Sequence, residues 1–165
     1  MDSGDWLPVT TGQTLRFFFE TLKDVSEDSR PPTDELLYNA SVLAHFATTS
    51  TASQADFPAC PTGLSTIFDL FVLDHSQHHD PDIMEAAAAQ CLLFTGFFHD
   101  QMKRRHNVEW YATLGAAFFA QAAHRRRDRV RAHMMDTMAA RFDFWRRQQR
   151  RLAHELRDLP RLIRN

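Results

Sequence analysis

The residues most able to do chemistry in this 165-residue chain are clustered histidines in the segment Asp74-His75-Ser76-Gln77-His78-His79-Asp80. On a helix, His75 and His79 lie one turn apart on one face, as do Asp74 and His78. That spacing can hold a divalent metal through His75, His78 and His79. A closed site needs a fourth ligand, and a catalytic one an ordered outer shell; the segment names neither. The plainer reading is a polar helix end before Pro81, where imidazoles suit the negative pole of a helix C-terminus. A carboxylate-bridged di-iron bundle is excluded on spacing. It needs Glu-x-x-His pairs, and none of the six glutamates has a histidine three residues on. His99 and His106, seven apart, admit a haem ligand, and a metal or cofactor enclosed near His99, Tyr111 and His133 is the enzymatic alternative. Against it stands a histidine that simply ends an aromatic helix.

Nucleophilic and phosphate chemistry find no foothold. There is no Gly-x-Ser-x-Gly elbow, and five glycines spread from Gly4 to Gly115 make no Gly-rich loop. Cys60 and Cys91 stand 31 positions apart, read as free buried thiols rather than ligands. No catalytic residue is assigned, no cofactor is implied, and the chain leans away from being an enzyme. Side chains suited to contact are easier to find. Arg104, Arg105, Trp110 and Tyr111 flank a break between two apolar runs, where a helical hairpin would turn its side chains outward.

The elements that must position these residues are all helical. Thr10 or Thr11 can cap a helix to about residue 26, with Leu15, Phe18, Phe19, Leu22 and Val25 on one face. Pro31-Pro32 breaks the chain. Thr33 caps a second helix whose stripe is Leu36, Leu37, Ala40, Leu43, Ala44 and Ala47. Residues 48–61 read as a long loop, and 62–78 as a third helix. Asp80-Pro81 opens a fourth, over 81–104, with Ile83, Ala87, Gln90, Cys91, Phe94, Phe97 and Phe98 inward. Asn107 caps a fifth, over 108–123, and Gly96 and Gly115 are expected to face each other where these two cross. The last helix, from about Asp128 to before Pro160, carries the seam Met135, Met138, Phe142, Trp145, Gln149, Leu152 and Leu156 in steps of three and four. No alternating strand pattern competes. The expectation is one all-α bundle domain of about six helices over 10–159, with a leader over 1–9 and a tail over 160–165.

Composition fits such a domain. Hydrophobic residues make up 44% and charged residues 24%, and 14 phenylalanines supply an aromatic core. The longest uncharged apolar run, 86–98, has 13 residues, short of the roughly 20 that cross a bilayer. With an acidic, non-apolar start, a cytoplasmic address is expected. The net charge of −2 conceals a division: residues 1–100 carry net −12 and residues 101–165 net +10, with no Lys or Arg between Arg30 and Lys103. Either the basic half binds a polyanion such as nucleic acid, or the two halves complement each other within or between chains. The arginines form two clusters, 125–131 and 146–151, but no helix-turn-helix, zinc finger or aromatic RNA-binding motif accompanies them.

The block LLFTGFFHDQMKRRHNVEWYATLGAAFF resembles a group of bacterial all-helical proteins, mostly uncharacterised. They share a Gly-Phe-Phe element after an aliphatic-Phe pair, paired arginines, an aromatic pair and a Leu-Gly or Met-Gly before a further aromatic. Here these are Phe94, Gly96, Phe97, Phe98, Arg104, Arg105, Trp110, Tyr111, Leu114, Gly115 and Phe119. His99-Asp100 departs from the group's Pro-Glu, and Trp110 from its Tyr. The resemblance covers about residues 33–150 and implies a bacterial helical domain, without an activity. The function expected is therefore that of a non-enzymatic adaptor, regulatory or assembly protein. Its partner would be another protein or a second copy of itself.

Overall fold

The computed structural model describes residues 11–53 and 80–164, with side chains over 12–48 and 80–157. All regular structure among them is α-helical, as the periodicity requires. The fold is all-α. The chain divides into two compact units, Met1–Ala59 and Cys60–Asn165. Each is taken by itself. The expected leader, the third helix over 62–78, Cys60 and the histidines 75, 78 and 79 lie outside the described residues.

In the first unit, α1 (Thr11–Val25) and α2 (Thr33–Ser53) form a hairpin. Phe18 and Leu22 on α1 are buried, with Leu36, Ala40, Leu43 and Ala44 on α2. The buried stripe of α2 turns further than expected, toward Glu35 and Asn39, which are also buried. Leu37, on the far side of that stripe, is left 46% exposed instead of buried. The connection is tight. Ser26 caps back onto Leu22, its hydroxyl donating to the Leu22 carbonyl at 2.6 Å. Arg30 closes the turn at φ 45°, a left-handed conformation unusual for a side-chain-bearing residue. α2 continues to Ser53, so the first part of the expected 48–61 loop is helix.

The second unit contains α3 (Pro81–Thr95), α4 (His99–Met102), α5 (Val108–Arg125), α6 (Arg129–Ala140) and α7 (Phe142–Arg164). Asp80 caps α3 as anticipated, accepting from the backbone N–H of Asp82 at 2.9 Å and Ile83 at 3.4 Å. α3 and α5 make the most extensive contact in the unit. Their shared core holds Ala88, Cys91, Leu92, Phe118, Phe119 and Ala122, all fully buried. Gln90 falls on the exposed side, and Met84 is buried in the position the sequence suggested for its neighbours.

The expected continuous helix over 81–104 breaks at 96–98. Gly96 caps α3, and the Phe98 N–H reaches back five residues to the Leu93 carbonyl at 2.9 Å. This widened turn drives Phe98 to full burial, its ring edge-on to Phe97 at 5.0 Å. The two glycines each sit at a close crossing, but not with each other. A Cβ on Gly96 would lie 2.9 Å from the Arg146 carbonyl oxygen in α7, and one on Gly115 would lie 2.6 Å from the Phe142 ring and 2.7 Å from the Cys91 Cβ.

The last predicted helix is likewise two. α6 ends at Arg141 (φ −108°, ψ 22°), and the seam carries on across the break. Met135, Met138, Phe142, Trp145, Gln149 and Leu152 are all buried. The break sets the Phe142 ring over Gly115 and 6.0 Å from the Phe119 ring. α7 runs through Pro160 to Arg164, where a stop is expected. A proline removes one helical hydrogen bond without forbidding helical φ, so the helix survives it.

Candidate interaction surface

The turn between α4 and α5, residues 103–107, is fixed from both sides by apolar anchors. Met102 and Val108 are buried at 5% and 8% exposure. Between them the N–H groups of Arg105 and His106 both donate to the Met102 carbonyl, at 3.1 and 2.9 Å. Asn107 caps α5, its side-chain oxygen accepting from the Trp110 N–H at 3.1 Å. Held in this way, Lys103, Arg104 and Arg105 project outward and are exposed. None of the three forms an ion pair among the described residues.

Trp110 stands one turn into α5, 39% exposed, with its ring edge-on to Tyr111 at 4.8 Å. His106 completes the aromatic group, 6.1 Å from the Tyr111 ring. Tyr111 itself is half-buried, and that burial raises its pKa. The acid beside Trp110 is withdrawn from this surface. Glu109 takes the Arg146 guanidinium at 2.9 and 3.0 Å, and Asp143 holds the Arg146 Nε at 2.8 Å. Of the four contact residues expected from sequence, Arg104, Arg105 and Trp110 are exposed, and Tyr111 is half-buried against the Trp110 ring.

Elsewhere the arginines are largely engaged. Arg126 bridges Asp82 at 2.7 Å and Glu85 at 2.6 Å, and Arg131 reaches the same Glu85 at 3.2 Å. Asp100 draws four groups: His154 at 2.8 Å, Arg157 at 3.1 Å, Arg150 at 3.2 Å and His99 at 3.3 Å. Burial works against the Asp100 charge, but hydrogen bonds from His154, His99 and Arg157 and the charge of Arg150 outweigh it. They hold its carboxyl well below the usual carboxylate range. Every acid between 80 and 100 is thus used within the second unit, Asp80 as a cap and the others in ion pairs. That much of the charge division is internal complementation. The Asp100 cluster was not foreseen. Its signal was the spacing of Arg150, His154 and Arg157 on one helix face, matched to the last acid of the acidic half.

His99 is bonded to Asp100, Tyr111 packs edge-on against the Trp110 and His106 rings, and His133 is exposed on α6. Among the described residues no three His, Cys, Asp or Glu side chains converge as a metal site would require. Burial pushes the Cys91 thiol pKa far up, so it stays protonated and inert. Arg125, Arg127 and Arg129, exposed and in no ion pair among the described residues, gather at the α5–α6 connection. Beside them lies an open groove of about 430 Å³ lined by Ala120, Gln121, His124 and Arg125. No described helix is long and apolar enough to cross a membrane. The chain matches no protein-family profile, no curated protein and no solved structure at a significant level.

Proposed function

We propose that this chain is a non-enzymatic helical adaptor, regulatory or assembly protein that acts through protein contacts at the α4–α5 turn. The observation that carries the reading is the pairing of an exposed Lys103-Arg104-Arg105 turn with a partly exposed Trp110 on a rigid helix start. Trp, Tyr and Arg are the side chains that dominate binding energy at protein interfaces, and a pre-ordered position lowers the entropy lost on binding. Internal ion pairing of Arg126, Arg131, Arg146, Arg150 and Arg157 supports it, because the cations of this turn stay exposed and outside any ion pair among the described residues. The preferred partner surface is acidic, with an apolar spot to receive Trp110.

Native mass spectrometry of the protein isolated from the cells that make it tests this. A bound protein chain, its own or another's, is expected for the wild type and is expected to be lost in Arg104→Glu/Arg105→Glu/Trp110→Ala. Retention of the same partner by that variant refutes the reading. A polyanion reading is favoured only by Arg125, Arg127 and Arg129. Nucleic acid bound through those residues, absent from an Arg127→Glu/Arg129→Glu variant, would establish it instead.

A further inference from the structure

The chain carries a surface of the chemistry that the α4–α5 turn calls for. At the α1–α2 connection Asp24, Glu27 and Asp34 are exposed, and no ion pair engages them among the described residues. Asp34 only accepts the N–H of Glu35, at 2.9 Å. Asp28 is exposed in the same turn, and Lys23 and Arg30 offset part of the charge, leaving the connection net acidic. One turn beyond Asp34 lies Leu37, 46% exposed on a helix whose other leucines are buried. Leu22 and Ser26 are fully buried beneath the turn, and Arg30 adopts a positive φ. An acidic turn with one exposed leucine thus matches a basic turn with one exposed tryptophan.

We infer that the occupant of the α4–α5 turn is a second copy of this chain, docking through its α1–α2 connection. This rests on the reading of the α4–α5 turn as a protein contact and names its partner. Asp24, Glu27 and Asp34 of one molecule face Lys103, Arg104 and Arg105 of another, and Leu37 meets Trp110. Complementary exposed charge steers and registers such a contact, while the apolar pair supplies desolvated area. The contact joins two different surfaces, so it is heterologous. It closes as a ring or a reciprocal pair, or propagates. Because the charges are exposed, salt weakens it.

Sedimentation of the full chain tests the inference by exchanging the charges. At a protein concentration of about 100 µM and low salt, where even weak contacts populate, the wild type is expected to associate. Arg104→Glu/Arg105→Glu and Asp24→Lys/Glu27→Lys are each expected to weaken association by at least tenfold, with unchanged helical content by circular dichroism. Mixed in equal amounts, the two variants regain complementary faces and are expected to associate with each other. A monomeric wild type overturns the inference, as does a mixture that stays monomeric. If the wild type is monomeric yet keeps a different protein through Trp110, self-docking fails and the contact surface stands. If Arg104, Arg105 and Trp110 affect no association of any kind, both fail.

Discussion

At Gly96 an added methyl group would meet backbone, not a yielding side chain, at 2.8 Å from the Leu92 carbonyl oxygen and 2.9 Å from that of Arg146. Gly96 caps α3 rather than lying inside it, so alanine brings overpacking with no helix-propensity gain to offset it. Gly96→Ala is expected to destabilise the protein by about 1–3 kcal/mol, read as a lower urea midpoint at unchanged slope. A neutral outcome would deny the close approach of α3 and α7. Asp100 gives a pH signature. Its folded carboxyl titrates below the ordinary value of about 3.9, so its contribution is full above that value and is lost as pH falls through the depressed one. The stability gap between wild type and Asp100→Asn is expected to be flat from about pH 6 down to about pH 5 and to shrink below about pH 4. A gap that widens in acid would contradict the cluster. Cys91, fully buried with its pKa raised, is expected to resist thiol labelling until the protein unfolds, as peptide mass spectrometry would report.

Among the elements, the helix starts were legible because caps are local chemistry. Asp80 before Pro81 and Asn107 before Val108 act where the sequence placed them, and Asp128 caps α6 by accepting from Val130 at 2.9 Å. Replacing Asp80 by alanine leaves N–H groups of α3 without that acceptor and is expected to cost about 1 kcal/mol, measurable by chemical denaturation. The breaks were not legible. The chain breaks at 96–98 and at Arg141, where Gly96 admits the α7 backbone and Gly115 admits the Phe142 ring, and such fits depend on neighbours distant in sequence. The same limit hid the turned stripe of α2: period alone puts Leu37 beside Leu36, and only the burial of Glu35 and Asn39 moves the stripe away from it. Pro160 misled in the opposite direction, since a local helix breaker is overridden within α7.

For the molecule as a whole, the charge division was visible in the sequence, but its use was not. Asp82, Glu85 and Asp100 are met by arginines of the basic half, which needs three-dimensional proximity to be seen. The basic turn at 103–105, by contrast, stands apart from those pairs, just before the α5 turn that carries Trp110. Raising ionic strength is expected to loosen whatever binds this turn while leaving the part-buried Arg126–Glu85 pair less affected. The central claim is that protein covers this turn, and hydroxyl-radical footprinting of the assembled and dissociated protein addresses it directly. Trp145, at 0% exposure, serves as the internal control, with Trp110 at 39% as the probe. Oxidation of Trp110 should be suppressed in the assembled form and restored on dissociation by salt, while Trp145 stays unreactive in both. Equal oxidation of Trp110 in the two forms would place the contact elsewhere and contradict the account.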